Sequence, residues 1–276
     1  MNRTTIHTAL VLLAAAALVA AAVPAQAASG GDGNAPTSVS RMAASLELRA
    51  ELRLVSIRDG ACPAGVSATT TCPSRTGKGL APGLGSATVA YSYLVDQGHP
   101  ACGGGSARIL GYPVRLAVAG KGELHIAVAE RSDCFFGDTA ISVEQAFAIT
   151  GGTGMYAGAA GSGTVKRALG STGAGAAGTE TWTGTLTVPG LEFDVTRPAL
   201  AGAANRIVKA KPGAKTARVV FQVTAQDDRD GALATSCTAR SGSKFRVGQT
   251  RVSCSATDTS ANTATAAFTV TVRKAR

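Results

Sequence analysis

Leu46-Glu47-Leu48-Arg49-Ala50-Glu51-Leu52-Arg53-Leu54 decides the fold class. Leu or Ala occupies every second position and a charge fills each gap, which suits a strand, whose successive side chains point to opposite faces. Glu and Leu favour helices, but the apolar residues do not recur at three- and four-residue spacing. The stretch therefore predicts a half-buried antiparallel strand, with Glu47, Arg49, Glu51 and Arg53 on the solvent side of a wall. Working outward, the same alternation marks Ser86–Asp96, Ala107–Ala119, Gly122–Glu130, Ala140–Thr150, Tyr156–Arg167, Thr179–Val188 and Leu191–Val195. Short turns such as Gly120-Lys121-Gly122 and Pro189-Gly190 separate several of them. With Leu46–Ile57 that makes about eight strands, enough to close a small barrel over residues 44–197. No amphipathic helix interrupts the pattern.

Arg197-Pro198 opens a short Ala/Gly linker over 199–204, and strands resume at Arg206–Lys211, Ala217–Ala225, Leu233–Cys237, Thr250–Thr257 and Thr263–Val272. Residues 198–276 read as a second all-β unit, a small sandwich.

Upstream, Arg3 supplies a positive start, Ala9 to Val23 an apolar run, and Pro24-Ala25-Gln26-Ala27 a small-residue cleavage site. This is the pattern of an export signal over residues 1–27. The run is shorter than the roughly 20 apolar residues of a spanning helix, so no membrane anchor is expected in the mature chain. Residues 28–43, rich in Gly, Ser, Asn and Pro, read as a flexible arm. The expected location is secreted, outside the cytoplasm.

The 276-residue chain carries 27 Lys+Arg against 17 Asp+Glu, with 34 Gly and six Cys. Its apolar content is too high for a disordered chain, and its glycines have no collagen period. Only His99 and His125 follow the leader, which excludes a multi-histidine metal centre within one chain. Residues 28–197 hold 13 basic and 13 acidic side chains, whereas residues 198–276 hold 13 basic and 4 acidic. This asymmetry points to an anionic partner such as a cell-envelope polymer, an acidic polysaccharide or nucleic acid, or else to a solvated surface that keeps the protein in solution. No aromatics interleave with the charges for base stacking, which argues against nucleic acid. The solubility reading is the simpler one.

Six cysteines, an even number all after the leader, fit disulfides in an oxidising compartment. A zinc site wants closely paired ligands, and the nearest pair, Cys62 and Cys72, is ten residues apart. Cys237 and Cys254 lie in strands flanking a turn, so a bridge between them is expected. The other four permit three pairings. If Ala107–Ala119 and Gly122–Glu130 form a hairpin around Gly120-Lys121-Gly122, opposed residues have numbers adding to about 242. Cys102 and Cys134 then fall just beyond the strand ends, within reach of each other, and Cys62 and Cys72 share one loop. The expected bridges are Cys62–Cys72, Cys102–Cys134 and Cys237–Cys254.

Two stretches resemble known families. Val220-Phe221-Gln222-Val223-Thr224-Ala225, the acidic turn Asp227-Asp228-Arg229-Asp230-Gly231, Cys237, Phe245-Arg246-Val247-Gly248, Val252-Ser253-Cys254, Ala256-Thr257-Asp258, Asn262-Thr263-Ala264 and Phe268-Thr269-Val270-Thr271-Val272 resemble the hyalin-repeat (HYR) domain. The resemblance implies an immunoglobulin-like sandwich with an extracellular binding or adhesive role and no catalytic residues. Ala261 stands where the family usually has Gly, which puts that hairpin turn in question. Phe147-Ala148-Ile149-Thr150-Gly151-Gly152-Thr153-Gly154-Met155-Tyr156-Ala157-Gly158-Ala159-Ala160-Gly161-Ser162-Gly163-Thr164 is similar to the signature of allene-oxide-cyclase-like and dirigent-like barrels. Thr181-Trp182-Thr183-Gly184-Thr185-Leu186 and Pro189-Gly190-Leu191-Glu192-Phe193 fit bacterial members of that group. This implies an eight-stranded antiparallel barrel.

Asp227, Asp228, Asp230, Asp258 and Asn262 are hard oxygen donors of the kind calcium takes. The twelve-residue EF-hand spacing is absent, however, and Asp or Asn at turns commonly caps its own backbone, so no metal is assigned. Gly152-Thr153-Gly154 lacks the following helix that a dinucleotide loop needs and reads as a turn between strands. There is no nucleophile elbow and no metalloprotease motif. His125 reads as a structural or surface imidazole and His99 as an exposed loop residue. No catalytic residue and no cofactor is assigned. The sequence reads as a non-catalytic extracellular binding protein. A small-ligand carrier or cyclase using the barrel lumen is the alternative, to be separated from it by whether the lumen is filled or lined with convergent polar groups.

Overall fold

The computed structural model describes residues 41–59, 62–136, 142–169 and 177–275, and these contain no α-helix. The leader, and the arm apart from residues 41–43, lie outside them. Eight strands close a barrel: β1 (Ser45–Asp59), β2 (Pro73–Ala81), β3 (Gly85–Ser92), β4 (Tyr112–Val118), β5 (Gly122–Val128), β6 (Ser142–Gly152), β7 (Ala160–Leu169) and β8 (Ala177–Thr187). Each pairs antiparallel with the next, and β8 returns to β1 with Thr187 opposite Ser45. It is an up-and-down barrel with no free edge.

The opening stretch behaves as its alternation requires. Leu46, Leu48, Ala50, Leu52 and Leu54 are buried, while Glu47, Arg49, Glu51 and Arg53 are exposed. Trp182, Leu48, Leu52, Leu116, Leu124 and Leu186 are almost fully buried and belong to one apolar cluster in the barrel. Phe147 meets Trp182 edge to face with centroids 5.0 Å apart.

Eight barrel strands were expected, but one of them is different. Leu191–Val195 is not in the wall: Phe193–Asp194 pairs with Met42–Ala43 outside it. The strand that replaces it, β2, reads as loop because its inward positions are Arg75, Gly77, Gly79 and Ala81, while Leu80 points outward and is 44% exposed. The glycines are required by the close approach of β1. A Cβ on Gly79 would lie 1.8 Å from the Glu51 carbonyl oxygen, and one on Gly77 2.7 Å from a Leu54 methyl.

Three other expected strands divide: Ser86–Asp96 leaves the wall after Ser92 and resumes as a separate strand, Val95–Asp96. Ala107–Ala119 splits into Ser106–Ile109 and β4, and Tyr156–Arg167 starts as a 3-10 turn, Gly154–Tyr156, before β7. The β4–β5 hairpin has opposed numbers adding to 240, as for Tyr112 and Val128, a two-residue slip from expectation.

The connections at the two barrel ends differ. At one end Ala81–Gly85, Gly120–Gly122 and Gly152–Ala160 turn tightly. At the other, the longer β1–β2, β3–β4 and β5–β6 connections contribute a four-stranded sheet in the order Phe135–Phe136, Ser106–Ile109, Val95–Asp96, Thr70–Thr71. Val95 and Ile109 join the barrel's apolar cluster, and Phe135 packs against it, so this sheet caps the barrel. The bridges Cys62–Cys72 and Cys102–Cys134, with Cα atoms 5.3 and 5.8 Å apart, staple the cap.

Beyond Phe193–Asp194 a second β module follows. One sheet joins β9 (Ala199–Ala201), β12 (Thr224–Asp227) and β13 (Gly231–Leu233). The other orders β10 (Arg206–Lys209), β17 (Thr263–Arg273), β16 (Gly248–Thr257) and β14 (Ser236–Cys237). β11 (Thr216–Arg218) pairs with β15 (Lys244–Arg246). The expected linker over 199–204 thus contains a strand, and Ala217–Ala225 is two strands rather than one. Phe221, Phe245, Val252, Phe268 and Val270 fill the core. Cys237 and Cys254 are directly opposed on β14 and β16 and are bridged, as the sequence led us to expect. The described residues fall in one compact unit. Among the described residues no helix is long and apolar enough to cross a membrane.

Candidate functional sites

Beneath the cap, β2, β3, β4, β6, β7 and β8 each send one polar side chain inward: Arg75, Tyr91, Tyr112, Gln145, Arg167 and Glu180, all buried. Arg167 and Glu180 face each other on neighbouring strands, and the Arg167 Nε donates to Glu180 Oε1 at 2.6 Å and shares that proton with the Tyr91 hydroxyl at 3.0 Å. Tyr91 donates to the same carboxylate oxygen at 2.9 Å. The Arg167 Nη1 donates to Gln145 Oε1 at 2.8 Å, and the Gln145 amide donates in turn to the Ala129 carbonyl at 2.7 Å. The Arg167 guanidinium also lies 5.5 and 5.3 Å from the Tyr91 and Tyr112 ring centres, within cation–π range.

Burial pushes both tyrosines well above the usual phenol range. It also works against the Arg167 charge, but Tyr112, Tyr91 and Glu180 outweigh it and raise that group. Around this pair, the buried Arg167 Nη2, Glu180 Oε2 and Trp182 Nε1 have no hydrogen-bond partner among the described residues. Orphaned buried polar atoms are costly, and here they offer donors and an acceptor to an interior ligand. Sequence reading missed this cluster because its six members are scattered over six strands with no motif spacing. Where a signal exists, it is a polar residue on the inward phase of an otherwise apolar alternation, clearest for Gln145 between Val143 and Phe147.

A second cluster sits where the barrel meets the β module. Asp194, on the segment leaving the barrel, Asp227 at the end of β12 and Asp258 after β16 are all buried, with carboxylate oxygens within 4.8 Å of one another. Asp227 Oδ1 accepts the amides of Arg229 and Asp230, and Asp258 Oδ1 accepts that of Asn262. Turn capping was the expected role, and both residues perform it. Asn262 Nδ2 donates to Asp258 Oδ2 at 2.9 Å and to the Asp194 carbonyl at 3.0 Å, tying the turn after β16 to the segment leaving the barrel. Burial raises the Asp258 carboxyl, and the Asp194 and Asp227 charges add to the shift. Asp230 instead holds the Thr259 amide and hydroxyl, and Asp228 is exposed. Asp194 had not been grouped with these residues, being 33 positions away from Asp227 in the chain.

The histidines take no part in either cluster. His125 Nε2 lies 3.4 Å from Arg115 on the barrel exterior. His99 is half-buried rather than exposed, 3.6 Å from Glu130. Gly152-Thr153-Gly154 is a close-packed turn between strands, where a Cβ on Gly154 would stand 2.5 Å from the Lys121 carbonyl oxygen.

A small all-β module mounted on a closed, capped barrel is the class of protein this fold defines. Residues 193–272 match the HYR domain family. No curated protein and no solved structure matches the chain.

Proposed function

We propose that the protein is exported and acts as a non-catalytic extracellular binding protein, whose HYR domain attaches to an anionic envelope or matrix polymer. One observation carries the choice of partner: Arg218 is directly opposed to Lys244 across the β11–β15 pair, both exposed. Like charges directly opposite destabilise a strand pair, so an anion bridging them would relieve a cost built into the fold. Lys215, Arg240 and Arg246 extend the same basic region and are also exposed. Of the four acidic residues in 198–276, Asp227 and Asp258 are buried, which leaves the surface more basic than composition indicates. The HYR match and three disulfides fit an extracellular setting.

The test is retention of the full chain on an immobilised polyanion. Retention should fall steeply with salt, because exposed charges are screened over about 8–10 Å at physiological ionic strength. An Arg218→Ala/Lys244→Ala variant should elute earlier. A wild-type chain that passes through unretained at low salt would sink the proposal.

The three unpartnered atoms around Arg167 favour a second reading, a small polar ligand held in the barrel. Kinship with allene-oxide-cyclase-like or dirigent-like barrels, supported by the 147–164 motif and the closed meander, belongs to that reading. The apolar side chains filling the rest of the lumen favour the first. Native mass spectrometry of the gently purified protein decides: a bound small molecule, lost in Arg167→Met, supports a carrier.

A further inference from the structure

We propose that Asp194, Asp227 and Asp258 form a calcium site that clamps the segment leaving the barrel, where the HYR match begins, to two turns of the β module. Two oxygens bound to one calcium at 2.3–2.6 Å cannot lie more than about 5 Å apart. The three carboxylates, mutually within 4.8 Å, satisfy that limit without rearrangement.

Charge makes the same point. Three carboxylates converge in a site from which solvent is nearly excluded, at 7%, 2% and 7% exposure. None of them takes part in an ion pair among the described residues. Buried charges are normally paired or bound to metal.

The independent observation is Asp227 Oδ2. The other oxygen of this carboxylate holds two backbone amides, yet Oδ2 is fully buried with no hydrogen-bond partner. A carboxylate oxygen needed only for turn capping would not be held dry and unpaired beside two more carboxylates. Asn262 is positioned as a support: its amide nitrogens hold Asp258 and the Asp194 backbone in place. A cleft of about 350 Å³ lined by Asp194, Asp230 and Ser260 reaches the cluster at Asp194. Hard oxygen donors with no His or Cys select calcium over transition metals, and three carboxylates are more than magnesium, which keeps its waters, usually takes. Because Asp194 leaves the barrel while Asp227 and Asp258 sit on module turns, one ion would crosslink three chain segments. The proposal does not depend on the basic surface binding a polymer.

The experiment is calorimetric titration of the EDTA-treated full chain with calcium chloride and magnesium chloride, paired with thermal unfolding. We expect one saturable calcium site with a dissociation constant of about 10⁻⁴–10⁻³ M, the range of extracellular modules, weaker magnesium binding, and a melting temperature that rises with calcium. Asp227→Asn and Asp258→Asn should each weaken binding at least about tenfold, whereas Asp228→Asn, exposed and outside the cluster, should not. Absence of saturable binding by the wild-type chain at millimolar calcium would overturn the proposal. So would unchanged affinity in both cluster variants. If the variants do not fold, the wild-type titration decides alone.

Discussion

Arg167 and Glu180 sit opposite each other on β7 and β8, 2.6 Å apart, with side chains only 5% and 0% exposed. A buried ion pair is weak evidence of net stability, because desolvation offsets most of the attraction. Breaking one is another matter. Glu180→Ala should lower unfolding free energy by about 3–5 kcal/mol, since it strands a buried guanidinium. An Arg167→Met/Glu180→Leu double variant should recover most of the loss. Urea unfolding of the three proteins checks this, and a double variant no better than the single would show the pair to be stabilising in its own right.

Ala261 is the only described non-glycine residue with a positive φ, at 64°. It occupies the turn position where HYR sequences usually have Gly, and it lies between Asp258 and Asn262. A left-handed conformation costs an L-residue roughly 1–2 kcal/mol. Ala261→Gly should therefore stabilise the protein by about 1 kcal/mol, less what is lost by removing a methyl that is 3% exposed. A lowered melting temperature would contradict the strain argument.

Glycine packing against β1 gives a contrasting case. Gly79→Ala drives a Cβ into the Glu51 carbonyl and should cost on the order of 3 kcal/mol as overpacking. Gly120→Ala meets open space and carries only the penalty of its φ of 71°, about 1 kcal/mol. The two melting temperatures should differ accordingly.

Asp96 ties the cap together by accepting the Thr69 hydroxyl at 2.6 Å and the Gly98 amide at 3.0 Å. The Thr69 bond, then the Gly98 bond, hold its carboxyl below the usual carboxylate range. A lowered folded-state value means that the stabilisation is complete above the ordinary carboxylate pKa of about 4 and is lost as pH falls through the lowered value. Hydrogen-exchange protection of the Gly98 amide should therefore hold at neutral pH and collapse in strong acid. Protection that persists there would separate the cap from this carboxylate.

How far the sequence could be read depended on who carried the pattern. Where Leu and charge alternate, as in β1, the wall and its two faces follow from period two alone. β2 was invisible for the same reason that it works: close strand approach demands Gly at 77 and 79, and the interior demands Arg at 75, so nothing apolar recurs. The cysteine pairing was legible although the hairpin register was two residues off, because Cys134 adjoins Phe135, and that residue pairs with Ala107 in the cap rather than in the barrel. Neither cluster could be assembled from the chain alone. The Arg167 network draws on five strands, and the Asp194–Asp227–Asp258 group on three segments distant in the chain.

The return of β8 to β1 brings the two ends of the barrel together. Ser45 faces Thr187, and Met42 faces Asp194, so the chain arrives and departs side by side. A cassette whose two ends already touch can be grafted into a host loop, or cut at the Gly120-Lys121 turn and rejoined at its original ends, with little entropy left to lose in closing the circle.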